Sequence, residues 1–228
     1  MIKLRKMNDI LIESKAKSLL EKYNKLLVEK NKFVNLTAHK TEAESWRNNI
    51  IDSLLFLEYF PKTKVKALDI GSGCGCPAVP LKILLPELDM TMLDSVNKKT
   101  EFLNEVTKAL GLENISAVHA RIEDFAVRHR ESFDLVTARA VADLPVLLEY
   151  ALPCLKTGGQ LFAFKGKNWQ EEIGKSKRAL AELGGEITAI WEQTLDQKQR
   201  ALIIIKKVKS TDKKYPRGKN LPRLKPII

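Results

Sequence analysis

The chain carries two hydrophobic rhythms. Before about residue 60, apolar side chains recur every three or four positions. Leu19, Tyr23, Leu26 and Leu27 share one face, which predicts a helix from residue 7 to about 30. Thr41 and Glu44 form a capping box, and Trp46, Ile50, Leu54 and Leu57 then line a second helical face that Pro61 ends. "NKFVNLTAHK" connects the two. From Lys64 onward, short apolar runs alternate with amphipathic stretches. "VKALDI", "MTMLDS", "ISAVHA", "FDLVTARA" and "GGQLFAFKG" read as strands. "PAVPLKILLP", "NKKTEFLNEVTKALG", "LPVLLEYALPCLK" and "WQEEIGKSKRALAELG" read as helices, the second opening at an Asn97 N-cap and closing at Gly111. The last two strands, "EITAIWEQTL" and "RALIIIKKV", are joined by "DQKQ". That link is too short for a helical crossover, so the pair is antiparallel. This pattern predicts an α/β fold, a seven-stranded and mostly parallel sheet with helices on both faces, plus an N-terminal helical extension. It divides the chain into a helical region (1–60), a sheet domain (61–208) and a C-terminal arm (209–228).

Composition narrows the function classes. No apolar run approaches the roughly 20 residues of a membrane span, and the first residues lack the apolar core of a secretory leader. The three cysteines, Cys74, Cys76 and Cys154, are too few and too unevenly placed for a disulfide framework. Cys74 and Cys76 resemble half a metal site, but no further soft ligand has the spacing, so no metal is expected. These features predict a cytoplasmic protein that does not engage a membrane. Charge adds more. The formal net charge is +11, and residues 206–228 hold nine Lys or Arg against a single acid, Asp212. Such a cluster points to a polyanionic partner. With Pro216, Pro222 and Pro226 it predicts an extended or loosely attached arm whose cations, Arg217, Lys219 and Arg223 among them, meet phosphates. In a competing reading, Tyr215 and Leu221 pin the arm back as a brace.

Candidate chemistry concentrates in "LDIGSGCGC". In open α/β sheets a ligand lies beyond the carboxyl ends of the strands. The loop after the first strand has Asp69 followed by Gly71, Gly73 and Gly75. It lacks the Gly-Lys-Ser/Thr of a P-loop and the third-glycine spacing of a dinucleotide fingerprint. Asp94 ends the second strand roughly 20 residues later, where a carboxylate accepts from a ribose diol. Ile122 and Glu123 follow the third strand, positioned to frame an adenine. A ribose, an adenine and no phosphate predict an S-adenosylmethionine methyltransferase of the Rossmann-like class. The rivals are a nicotinamide-dependent oxidoreductase and a non-catalytic RNA-binding protein on the same fold.

The chain resembles the RsmG (GidB) family of bacterial methyltransferases that modify small-subunit ribosomal RNA. The resemblance is carried by "NKFVNLTA", "IIDSLL", "LDIGSGCGCPAVPL", "MLDSVNKKTEFL", "FDLVTARAVADL", "LKTGGQLFAFKG" and "YPRGKNLPRLKPI". It implies methylation of guanosine N7 in 16S ribosomal RNA, within the small subunit or its precursor; a monomer is expected. It also implies cofactor contacts at Gly71, Cys76, Ile122, Glu123 and Arg139. The chain departs from the family at Cys76, where a bulky apolar residue is usual, at Ala78, where the family has glycine, and at Asn48 and Asn49, where it often has Arg-His. Asn220 also replaces a usual glycine.

Guanine N7 bears a lone pair and no proton, so its methylation needs positioning rather than a general base. Arg139 ends the fourth strand and is the expected positioning residue, through either guanine O6 or the methionine carboxylate of the cofactor. Lys165 ends the fifth strand and is either a phosphate contact or a solvated lysine.

Overall fold

The apolar runs after Lys64 all become strands. In the computed structural model, which describes residues 14–228, these are β1 (Val65–Ile70), β2 (Leu88–Asp94), β3 (Ile115–His119), β4 (Phe133–Arg139), β5 (Leu155–Lys165), β6 (Gly185–Leu195) and β7 (Lys198–Lys207). They form one sheet in the order β3-β2-β1-β4-β5-β7-β6. Pairing is parallel from β3 through β5, and β7 runs antiparallel to both β5 and β6. Ala67, Leu68, Asp69 and Ile70 of β1 are all buried, as in a sheet covered on both faces.

The helices are α1 (Ser14–Asn31), α2 (Glu42–Ser45), α3 (Asp52–Leu54), α4 (Ala78–Leu84), α5 (Asn97–Leu110), α6 (Ile122–Arg128), α7 (Leu144–Ala151), α8 (Trp169–Lys175), α9 (Lys177–Leu183) and α10 (Leu221–Leu224). Residues 7–13 of the first predicted helix lie outside the described residues. Both arms of the Thr41–Glu44 capping box are made. Between α2 and α3 the backbone widens into a π-helical segment, Trp46–Ile51. Leu20, Tyr23 and Leu27 of α1 share one core with α4, α5 and one face of the sheet. The opposite face packs against α7 and α9, and against Tyr215 and Ile227 of the C-terminal segment.

Three local expectations need correction. Residues 169–183 form two helices, because the Ser176 hydroxyl donates to the Glu172 carbonyl at 2.7 Å and the chain turns there. The N-cap of α5 is Val96, since the Asn97 amide is drawn to Glu101 at 2.7 Å. Helix α6 forms where no element was predicted.

The arm is not loose. Arg130 donates to the carbonyls of Thr211 and Tyr215, and the Thr211 hydroxyl donates to the Leu183 carbonyl at 2.7 Å. Arg217 grips the fully buried Glu149 carboxylate with two nitrogens, at 2.9 and 2.7 Å. Tyr215 and Pro222 are buried, while Leu221 is exposed. Lys207, counted among the basic cluster, is wholly buried and paired with Glu131. Brace contacts therefore engage part of the charge that the sequence assigned to a free arm.

Removing one partner of a buried ion pair strands the other, at a cost of about 2–4 kcal/mol at a partly exposed site. Arg217→Ala is therefore expected to lower the Tm by roughly 5–10 °C in thermal unfolding. An unchanged Tm would show that the pair does not hold the arm.

Candidate cofactor and substrate clefts

The loop after β1 places its three glycines at φ +66, +57 and +99°. They serve different ends. A Cβ on Gly75 would come within 2.8 Å of Leu103 and 2.9 Å of Val79, so this glycine lets the loop press onto helix packing. A Cβ on Gly71 would meet a Val141 methyl at 2.9 Å. At Gly73 a Cβ would meet only the Gly71 carbonyl oxygen, at an unstrained 3.8 Å, so it is the positive φ rather than crowding that calls for glycine there. Asp94 holds this loop in place. Its Oδ2 accepts from the Gly73 amide at 2.8 Å and its Oδ1 from the Val96 amide at 2.9 Å.

Two clefts open at the carboxyl end of the parallel strands. The first, about 280 Å³, is lined by Gly71, Asp94, Ile122, Glu123, Tyr150 and Arg223, among others. The second, about 550 Å³, is lined by Asn49, Asp52, Arg139, Lys165, Glu172 and Arg200, with His39 from the connector. Both share Ala140 and Val141, the residues that follow β4.

The predicted cofactor residues divide accordingly. Gly71, Asp94, Ile122 and Glu123 meet around the first cleft. Gly73 joins them through its bond to Asp94. Asp69 and Cys76 lie buried behind the loop, and Arg139 lines the second cleft. Among the predicted RNA contacts, Arg223 and its neighbour Asn220 line the first cleft, with Arg223 donating to the Val141 carbonyl at 2.9 Å. Lys165 is buried in the second cleft beside Glu172, at 2.6 Å. Lys219 is exposed. Sequence reasoning missed Tyr150, Asp52, Glu172 and Arg200. Asp52 lies in "IIDSLL", a stretch that carries the family resemblance without a role attached; nothing local marks the other three, which arrive from two helices and a strand far apart in the chain.

Electrostatics shape the wall between the clefts. Asp52 is nearly buried, and its two oxygens accept from Arg139 at 2.9 Å and Arg200 at 2.5 Å. Arg139 also donates to the Asn48 carbonyl at 3.2 Å. Burial opposes the Arg139 charge, but Cys76, Cys74 and Asp52 outweigh it and hold its pKa above the ordinary arginine value. Burial pushes the Cys76 thiol up. A hydrogen bond with Cys74, the Arg139 charge and the Tyr23 hydroxyl reverse this and bring the thiol down to about 7. Burial lifts Asp69 to about 6, although the Thr137 hydroxyl donates to it at 2.6 Å. Its Oδ2 has no hydrogen-bond partner.

The sequence profile described as "rRNA small subunit methyltransferase G" matches residues 16–203. The chain belongs to this family. It is 45% identical over 212 residues to the ribosomal RNA small subunit methyltransferase G of Desulforamulus reducens, covering 91% of this chain and 88% of the relative. The Lactobacillus helveticus protein of the same name is 42% identical over 233 residues, covering 99% and 97%. Among solved structures, a putative S-adenosylmethionine-dependent methyltransferase of Methanococcus maripaludis superposes with a TM-score of 0.55 at 20% identity, over 83% of this chain and 94% of that one. TYW2 of M. jannaschii, in complex with AdoMet, gives 0.57 at 14% identity, over 71% and 77%. Those two likenesses show the fold.

The family's cofactor is S-adenosylmethionine, and the first cleft fits it. Gly71 brings bare backbone to its lining, and Asp94 and Glu123 bring carboxylates that suit a diol and an amine rather than a phosphate. Asp94 would accept from the ribose hydroxyls, and Ile122 and Glu123 would frame the adenine. When bound, the cofactor supplies an electrophilic methyl group on a sulfonium.

A charge-assisted hydrogen bond contributes about 1.5–3 kcal/mol. Asp94→Ala, which also frees the Gly73 amide, is therefore expected to weaken S-adenosylmethionine binding by at least roughly tenfold in calorimetry. Equal affinity would remove Asp94 from the site.

Asp69 yields a pH prediction. Its folded pKa, about 6, lies above the unfolded value of 3.8, so the folded state binds the proton more tightly. Stability from this group is fully present below the unfolded value and is lost as pH rises through about 6. Asp69→Asn removes this dependence. Relative to wild type, the variant should gain roughly 2–3 kcal/mol in denaturant unfolding between pH 4 and pH 7. A constant difference would refute the buried-carboxyl assignment.

Proposed function

We propose that this protein transfers the methyl group of S-adenosylmethionine to N7 of a guanosine in 16S ribosomal RNA of the small ribosomal subunit, acting in the cytoplasm. The observation that carries the chemistry is the pairing of charges in the second cleft. Asp52 is engaged by Arg139 and Arg200, and Glu172 by Lys165. A carboxylate held this way is a poor proton acceptor. That suits a substrate atom with a free lone pair and no proton to lose. The shared residues Ala140 and Val141 put the two clefts side by side, as a direct transfer between cofactor and base requires.

Arg139 acts in this reading as a positioning residue. It fastens the Asn48 carbonyl and Asp52 to the end of β4 and so forms one wall of the substrate cleft. Lys219 and Lys225, exposed and close in sequence to the cleft-lining Asn220 and Arg223, supply phosphate contacts.

The test is transfer of a radiolabelled methyl group to small subunits lacking the modification, with the product nucleoside identified. Arg139→Ala should lower turnover by roughly 100-fold while leaving cofactor affinity within about threefold, because its side chain faces the other cleft. A collapse of cofactor affinity would instead assign Arg139 to the methionine carboxylate. His39 is the half-exposed imidazole lining the substrate cleft. Since N7 needs no base, His39→Ala should keep its rate across pH 6–8. Loss of a pH-dependent limb with His39 would overturn the base-free mechanism.

A further inference from the structure

Lys165 and Glu172 form the least exposed ion pair in the substrate cleft, with side chains 6% and 17% exposed. Both are fixed by backbone as well as by each other. The Lys165 ammonium donates to the Ala142 carbonyl at 2.7 Å, and Glu172 Oε2 accepts from the Leu144 amide at 2.8 Å. Oε2 also takes the contact from Lys165. One ammonium proton is committed to the Ala142 carbonyl and the ammonium pairs in charge with Glu172 Oε2 at 2.6 Å, which leaves an N–H to spare, and among the described residues Glu172 Oε1 makes no hydrogen bond. The pair thus offers one N–H donor beside one carboxylate acceptor, both rigidly held and both lining the 550 Å³ cleft.

Resting on the guanosine reading above, we infer that Lys165 and Glu172 are the specificity-determining pair that selects guanine by its Watson–Crick edge. Guanine presents the acceptor O6 next to the donor N1–H. The spare ammonium proton donates to O6, and Oε1 accepts from N1–H, with the exocyclic amine close by. Adenine reverses both groups, setting a donor at N6 against the ammonium and a lone pair at N1 against the carboxylate. The pair therefore repels adenine as well as binding guanine. N7 lies on the other flank of O6 and remains free for methylation, which a bidentate arginine across O6 and N7 would prevent. Enzymes that modify a single base commonly take it out of the stack and read this edge. The role differs from neutralising a phosphate. A buried lysine already neutralised by a carboxylate gives little long-range attraction, but it gives direction.

The test uses wild-type protein first, so that no variant has to fold. Small-subunit RNA is prepared with guanosine, inosine, 2-aminopurine or 7-deazaguanosine at the target position. Inosine keeps O6, N1–H and N7, and it should be methylated within roughly tenfold of guanosine. 2-Aminopurine keeps N7 but lacks O6 and N1–H, and it should fall by at least roughly 100-fold. Glu172→Gln and Lys165→Met should each narrow the guanosine-to-2-aminopurine ratio, with calorimetry showing that S-adenosylmethionine still binds. Equal methylation of guanosine and 2-aminopurine by the wild type, or a full ratio in both variants, overturns the proposal. The 7-deazaguanosine arm checks the reading beneath it. Methylation of that RNA would refute N7 as the acceptor, while the guanosine-to-2-aminopurine ratio would still judge the pair.

Discussion

One carboxylate ties the molecule together at its working end. Asp52 comes from the N-terminal helical segment, Arg139 from the end of β4, and Arg200 from the antiparallel strand β7. Without these cations, a buried carboxylate would cost several kcal/mol. With them, the helices cannot shift without separating charges. The wall of the substrate cleft, the neighbouring Asn48 carbonyl and the entry from β4 to Ala140 and Val141 all depend on that clamp. The departure at Asn49 fits it. The Asn49 amide oxygen lies 3.5 Å from Arg139, and its nitrogen donates to Ser45 and Thr37. A neutral amide here adds no further cation to the Arg139–Asp52–Arg200 cluster.

The cofactor side uses the same economy of charge differently. Asp94 accepts hydrogen bonds from the backbone of the glycine loop and of the turn before α5, so the carboxylate proposed for the ribose also shapes the loop that borders the first cleft. A carboxylate has about four acceptor positions, enough for both duties. The C-terminal segment completes this cleft through Asn220 and Arg223, and the Glu149–Arg217 pair and Arg130 hold that segment down. Brace and binding wall are therefore parts of one element. Asn220 sits in the left-handed region at φ +59°, a conformation asparagine tolerates, which explains how it stands where the family usually has glycine.

The fold was legible because its signals are local and repeated. Buried strands are continuous apolar runs, and turns carry glycine, as at Gly111, which ends α5 in the left-handed conformation. Where a local signal was weak, the reading slipped. Ser176 divides one amphipathic stretch into two helices, and α6 forms from a stretch too short and too charged to show a period. The grouping of residues around the first cleft was also largely legible. Its residues, Gly71, Asp94, Ile122 and Glu123, each follow or end one of three adjacent strands, and the α/β topology places such positions together.

The sequence alone therefore determined the α/β class, the seven strands, the glycine loop and the family resemblance, because periodicity and motif spacing are properties of the chain itself. Only the tertiary structure decided which charges are free. Arg217, Lys207 and Lys165 look alike as letters in a basic protein, yet each is neutralised by an acid 68, 76 and 7 positions away in sequence respectively. Coulomb attraction and desolvation depend on distance through space and on burial. Neither quantity exists until the strands have brought Glu149, Glu131 and Glu172 to their partners.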